Sequence, residues 1–337
     1  MTVKADKYVA MYFDALGAID TVSAERLVTE LLESGTGLGW IVSNVILPAQ
    51  RRVGDAWEAE KWNVAQEHAA TSISEQVLAV LGSAQRELSS GKQLVVACVE
   101  DELHSLPARA TATVLAGEGH RLTYLGASVP AADLRRFVAH VRPEAVLLSC
   151  LLTARIPQAA RAVNALHGLT HRILVGGTGF GPEGVWATKL GDVTWARDAE
   201  QVMEFLDAPL PALSGGKAAP RPRPHELDVD RIGARRDHLI DRGMTVLSPH
   251  LRKRPKRDDM FALFVADVLG QLADTLVAAV FVNDPAVFDQ FVRWLRRVAY
   301  RRGIPSHQID QVLSRWHKDL EGVPKARCAI GVALEEA

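Results

Sequence analysis

A chain of 337 residues, 48% hydrophobic and 23% charged, has the make-up of a globular protein of two or three domains. Its 39 basic and 40 acidic side chains leave a net charge of −1, which excludes bulk attraction to nucleic acid or to an anionic lipid surface. The first residues carry no signal-peptide pattern, no run approaches the ~20 apolar residues of a membrane span, and the scattered Cys98, Cys150 and Cys328 form no metal-spaced cluster, so a cytoplasmic protein with reduced thiols is expected.

Residues 1–90 read as helices. Apolar residues recur at helical spacing, with breaks at Gly35–Gly39 and near Pro48, and "NVAQEHAATSISEQVLAVLGSAQREL" forms a further long helix. That predicts about four helices, enough for a small bundle. From 91 to 208 the pattern changes. "QLVVACV" is a short apolar run suited to a strand buried on both faces. Helix "PARATATVLAGEG", strand "RLTYLG", helix "AADLRRFVAHVR", strand "EAVLLSC", helix "IPQAARAVNALHG" and strand "RILVGG" follow. "GVWATKLG" is read as a helix, "DVTWA" as a short strand and "AEQVMEFLD" as the closing helix. Strict alternation predicts a doubly wound parallel sheet. Residues 209–226 are rich in Pro, Gly and Ala and read as an extended linker. Residues 227–337 read as an all-helical domain, with Asp or Ser start signals and Gly stops. The expected class is therefore multidomain, α and α/β.

Three loops at the carboxyl edge of the sheet converge, where doubly wound folds bind ligands. The first, "VEDELHSLP", carries Glu102 and His104; the others are "SCLLT", from Ser149 to Thr153, and "GGTGF", from Gly176 to Phe180. A histidine with a carboxylate two residues earlier suits a metal ligand whose other ring N–H is held. Small residues at Ser149, Gly176 and Gly177 would open a slot where a flat or elongated ligand reaches the backbone. Taken singly each signal is weak, since a lone histidine after a strand is more often structural and a glycine pair is usually a turn.

Taken together, His104, Ser149-x-Leu151-x-Thr153 and Gly176-Gly177 resemble the flavodoxin-like cobalamin-binding domain of methionine synthase and its relatives. The resemblance implies that His104 is the lower axial cobalt ligand, in place of the cofactor's own benzimidazole. It also implies that Glu102, Ser105, Leu106, Ser149, Leu151, Thr153, Gly176, Gly177 and Phe180 lie at the cofactor, with the nucleotide tail in the slot. Two positions depart from the family: Glu102 stands for its Asp and Pro107 for its Gly.

Upstream, "WEAEKWNVAQEH" runs from Trp57 to His68. Trp57, nine residues, then Glu67-His68 resembles the helical cap of the light-sensing cobalamin repressors. That implies Trp57 over the upper corrin face, with Glu67 and His68 near an adenosyl group. An indole suits shielding a light-cleavable bond, and a carboxylate accepts from ribose hydroxyls. The repressors' histidine after the Trp is Glu58 here. Their winged-helix DNA-binding domain is not read in this chain, so direct DNA binding is not expected.

The C-terminal domain contains "SPHLRKRPKRDDMF" and the aromatics Phe261, Phe264, Phe281, Phe288, Phe291, Trp294, Tyr300 and Trp316. A solvated loop and a helical core are the plain readings. The domain order also resembles the photocobilins, which implies biliverdin as a second chromophore. His250, Arg252 and Arg254 would then meet its propionates. These resemblances imply a light sensor carrying adenosylcobalamin, with no catalytic residues, and a homo-oligomer whose assembly depends on light. A corrinoid carrier for methyl transfer, or a cobalamin-binding regulator without bilin, are the competing readings.

Overall fold

The computed structural model describes residues 2–83, 91–209, 226–251 and 259–335. Contacts divide the chain into two compact units: Met1–Leu151 with Arg161–Lys217, and Leu152–Ala160 with Ala218–Ala337.

The first unit opens with a helical bundle. Helices α1 (Thr2–Gly17) and α2 (Thr21–Glu33) are followed by α3 (Leu38–Ile41), a π-helical turn at Val42–Ile46, α4 (Leu47–Glu58) and α5 (Val64–Ser83). Asp20 accepts a hydrogen bond from the Ser23 N–H at 3.0 Å and caps α2. The expected break near Pro48 does not occur. Proline lacks an N–H and its ring crowds the preceding turn, and the widened π turn just before it gives room for both.

Five parallel strands follow in the order β2-β1-β3-β4-β5, the doubly wound arrangement expected from the sequence. They are β1 (Gln93–Val99), β2 (Arg121–Val129), β3 (Ala145–Ser149), β4 (Arg172–Gly176) and β5 (Thr194–Trp195). In register, Cys98 lies beside Ser149 and Ser149 beside Gly176, so three strands end in one row and their loops emerge together. Between and after them come α6 (Leu106–Gly117), α7 (Ala131–Val141), α8 (Ile156–Leu166) and α9 (Ala199–Asp207).

Helix α6 joins the two layers of this unit. Leu106, Ala110 and Val114, spaced by four, enter the bundle core, while Ala108, Ala112 and Leu115 enter the sheet core. A helix buried on two faces needs small residues, and this one is rich in alanine. Close approach recurs along it: a Cβ on Gly117 would sit 2.7 Å from Leu38, and one on Gly82 would sit 3.5 Å from Thr113.

The expected helix at "GVWATKLG" is instead a pair of 3₁₀ turns, Pro182–Gly184 and Ala187–Lys189. Gly181 and Gly184 have φ of +78° and +68°, and added Cβ atoms would strike the Trp186 and Trp195 rings. Left-handed backbone under two tryptophans cannot continue a right-handed helix.

The second unit contains α10 (Glu226–Gly233), α11 (Arg236–Leu251), α12 (Asp259–Val282), α13 (Ala286–Arg301), α14 (Ser306–Asp319) and α15 (Pro324–Glu335). The expectation that no segment reaches membrane-span length is corrected: Phe261–Val282 is 22 residues long and apolar enough. Asp267 and Asp274 interrupt its apolar run, and 67% of it is buried among protein neighbours, as in the core helix of a bundle. The indole N–H of buried Trp316 donates to the Leu239 carbonyl at 2.8 Å, tying α14 to α11. Asp274 accepts from Arg236 at 2.7 Å and from Arg155, in the Leu152–Ala160 segment, at 3.1 Å.

Candidate functional site

The loop after β1 is built around a buried carboxylate. Glu102 is 0% exposed, and three donors reach its two oxygens. Its Oε1 takes the His104 backbone N–H at 3.0 Å and His104 Nδ1 at 2.6 Å; its Oε2 takes the Leu151 N–H at 2.7 Å. Burying a carboxylate is costly unless donors surround it, and here an imidazole and two amides do so. The longer side chain at position 102 has the reach to touch the loop after β3. Asp101 and Ser128 hold left-handed backbone at φ of +63° and +49°. The Asp101 N–H donates to the Ser128 hydroxyl and the Ser128 N–H to the Glu102 carbonyl, both at 3.0 Å. Strain kept by non-glycine residues beside a functional side chain marks a geometry the fold over-determines.

His104 itself is half-exposed, with 56% of its side chain accessible. With Nδ1 on the carboxylate, Nε2 is the ring nitrogen a metal would use. Among the described residues no group of three or more His, Cys, Asp or Glu side chains could hold a metal ion. A metal carried in a macrocycle that supplies its own equatorial nitrogens needs only one axial protein ligand, and the donor set fits that case.

Beside this loop lies a cavity of about 150 Å³. Ser149, Gly176 and Gly177 line it at the strand ends, Pro107 and Thr111 from α6, and Val42 and Ser43 from the π turn of the bundle. Gly177 has φ of +106°, and a Cβ there would lie 2.3 Å from the Cys150 carbonyl oxygen. A Cβ at Gly176 would approach the Ala196 carbonyl to 3.1 Å, so neither position accepts a side chain without a shift of neighbouring backbone. Pro107 sits in the first turn of α6, where its missing N–H costs nothing. Cys98 is the last residue but one of β1, paired with Ser149 in this row. Its thiol is pushed up to about 12 by burial, then by the Glu102 charge, and shares a hydrogen bond with Ser149. It therefore stays a neutral thiol and does not compete as a thiolate ligand.

The structure thus brings Glu102, His104 and Leu151 into one network, and Ser149, Gly176 and Gly177 into one cavity. Ser105 follows His104 and donates its hydroxyl to Glu75 of α5. Leu106 and Phe180 are buried in the protein. Thr153 opens a 3₁₀ turn, Thr153–Arg155, within the segment grouped with the C-terminal helices. Trp57 lies half-exposed in the last turn of α4. Glu67 and His68 open α5; Glu67 accepts from the Thr71 hydroxyl at 2.9 Å and meets His68 at 3.4 Å. Sequence reasoning missed Glu75, the Leu151 N–H and the π turn. Only the four-residue spacing of Glu67, Thr71 and Glu75 signalled the first.

In the C-terminal unit, Phe288 and Trp316 are fully buried core residues. Phe261 and Phe264 lie 6.1 Å apart, Phe291 and Trp294 5.3 Å apart, and Arg302 stands 5.3 Å over Phe264. His250 belongs to α11, and its side chain, with Arg252 and Arg254, lies outside the described residues.

The first unit is thus a helical bundle that shares α6 with a doubly wound sheet, with a carboxylate-held histidine and a glycine-lined cavity at the strand ends. Residues 92–206 match a family model described as a B12 binding domain, and residues 8–81 match a second model of the same description. Both matches indicate a cobalamin-class cofactor. The chain is 38% identical over 107 residues to the HTH-type transcriptional repressor CarH of Myxococcus xanthus, covering 31% of this chain and 35% of that protein. It is 26% identical over 179 residues to the HTH-type transcriptional repressor CarA of the same organism, covering 52% and 60% respectively. The chain therefore spans less than two thirds of either relative. The monomethylamine corrinoid protein of Methanosarcina barkeri shares the fold, with a TM-score of 0.51, 17% identity, and coverage of 60% of this chain and 97% of that one.

Proposed function

We propose that this chain is a light sensor that holds adenosylcobalamin through His104, with the helical bundle as a cap and biliverdin as a second chromophore in the C-terminal domain. The observation that carries the reading is the fully buried Glu102 at 2.6 Å from His104 Nδ1, on a loop that opens beside the glycine-lined slot. A bound alkylcorrinoid supplies a cobalt–carbon bond that light breaks.

The chain's own residues do the rest. Glu102 orients the imidazole and raises its basicity, so that Nε2 donates to a metal. Ser149, Gly176 and Gly177 leave room for a displaced nucleotide tail. Trp57 and the Glu67-His68 pair, on α4 and α5, resemble the upper-face signature of the light-sensing repressors and would enclose the upper ligand. Were that ligand lost, its contacts with the cap would go with it, and the bundle's packing against the sheet layer and the homo-oligomer would change. In the second unit, Arg302 stands 5.3 Å over the Phe264 ring, a basic and an aromatic group of the kinds a flat, propionate-bearing bilin would use.

The test is to load the full chain with adenosylcobalamin in the dark, illuminate it with green light, and record the absorption spectrum and molecular mass. A bleached alkylcorrinoid spectrum with altered mass is expected. An unchanged spectrum and mass discards the sensor. Added biliverdin should give a red-shifted, sharpened band, and free-pigment absorption discards the second chromophore.

A further inference from the structure

Ser105 occupies the N-cap position of α6, yet its side chain makes no capping bond. Serine at that position usually accepts from a backbone N–H of the first turn. Here its hydroxyl donates across the layers to Glu75 on α5. The same residue is pinned a second time, because the Tyr124 hydroxyl donates to its carbonyl at 3.1 Å, with the Arg109 guanidinium 4.2 Å over the Tyr124 ring. Ser105 is the next residue after His104, so these bonds fix the peptide that carries the imidazole.

Glu75 is also well placed to report on the cap. It lies eight residues beyond Glu67, on the same stripe of α5 as Thr71, about 12 Å along the helix. Helix α5 is joined to α6 again by the Thr113 hydroxyl, which donates to the Leu78 carbonyl at 3.0 Å. A movement of α5 must therefore stretch or break the Glu75–Ser105 bond before it frees the bundle.

We infer that Glu75 is a positioning residue for the His104 ligand: through Ser105 it ties the cap helix to the imidazole-bearing peptide, so cap position and axial ligation change together. This rests on the corrinoid reading above.

The experiment measures adenosylcobalamin binding to the full chain in the dark by absorbance, which also separates histidine-ligated from benzimidazole-ligated cofactor. E75A and S105A should each weaken binding about tenfold, the loss of one charge-assisted hydrogen bond. The double variant should be no weaker than either alone, because both remove the same bond. E75Q, which keeps an acceptor at the same place, should stay within about twofold of the parent and serves as the folding control. In an H104A background, E75A should have no further effect. Parent-like binding by E75A, additive losses in the double variant, or an equal loss in the H104A background would each overturn the latch. A parent protein that takes the cofactor with its own benzimidazole on cobalt, or takes none, would overturn the corrinoid reading and the latch with it.

Discussion

The two units treat buried charge in opposite ways. In the C-terminal helices, Asp274, Asp289, Asp310 and Asp319 each face an arginine, at 2.6 to 3.2 Å, and all four pairs keep some exposure. Three of these pairs tie helix to helix, while Asp289 and Arg293 pair within α13, and none needs a ligand to explain it. In the first unit Glu102 is wholly enclosed and is met by an imidazole and two amides. A wholly buried carboxylate that holds a half-exposed histidine is a candidate for function in a way that a carboxylate in a partly exposed ion pair is not.

His104→Ala tests that contrast most directly. It removes the axial nitrogen and should weaken corrinoid binding on the order of 100-fold or more, while Glu102→Ala should cost about 10- to 100-fold. Equilibrium dialysis reads both, and binding unchanged in either variant would make the buried carboxylate structural after all. On the scaffold side, Asp274→Ala leaves Arg155 and Arg236 without their shared acceptor and should lower the stability of the C-terminal unit by about 2 kcal/mol. Urea unfolding followed by tryptophan fluorescence measures it, and an unaltered midpoint would mean the pairs contribute little.

A smaller effect should sort the slot from the ligand loop. Gly176→Val places methyl groups against the Ala196 carbonyl, so adenosylcobalamin should bind about tenfold more weakly. Cobinamide, which lacks the nucleotide tail, should bind as before; equal loss for both would place the tail elsewhere.

The smallest effect concerns pH. Burial raises the Cys98 thiol from its ordinary 9.0 to about 12. A raised acid is neutral in the folded state, so its contribution is whole below pH 9 and is lost as pH climbs from 9 through about 12. Tyr12 and Tyr124, raised by burial from 10.0 to about 12, add to the loss from pH 10 upward. Stability should decline only on the alkaline side of pH 9, and iodoacetamide at pH 8 should label exposed Cys328 while sparing Cys98. Labelling of both thiols at equal rates would contradict the buried placement of β1.

Much of this site was legible because its parts sit at strand ends. Apolar runs of five to seven residues ended at Val99, Ser149 and Gly176, and a parallel sheet brings such ends together whatever the intervening helices do. Contacts made between distant segments left no such trace. Glu75 carried only the weak signal of its four-residue spacing from Thr71 and Glu67, and Ser105 reads as an ordinary N-cap. Phe180 follows a glycine loop as a ligand-facing residue would, yet it turns fully inward. The helix expected at "GVWATKLG" failed because two tryptophans pack onto glycines whose φ is positive, a tertiary event that overrides local propensity.

The sequence by itself determined the alternation of strand and helix, the two helical regions, and the order of His104, Ser149 and Gly176-Gly177 along one sheet edge. Those features are periodic or punctuated, and periodicity is local. Only the tertiary structure decided that Glu102 would reach the Leu151 amide, that α6 would serve two cores at once, and that Ser105 would leave its own helix to bond Glu75. Each of these is a choice among partners far apart in the chain, and such choices are settled by which groups share an interior, where a polar atom must be satisfied and a void must be filled.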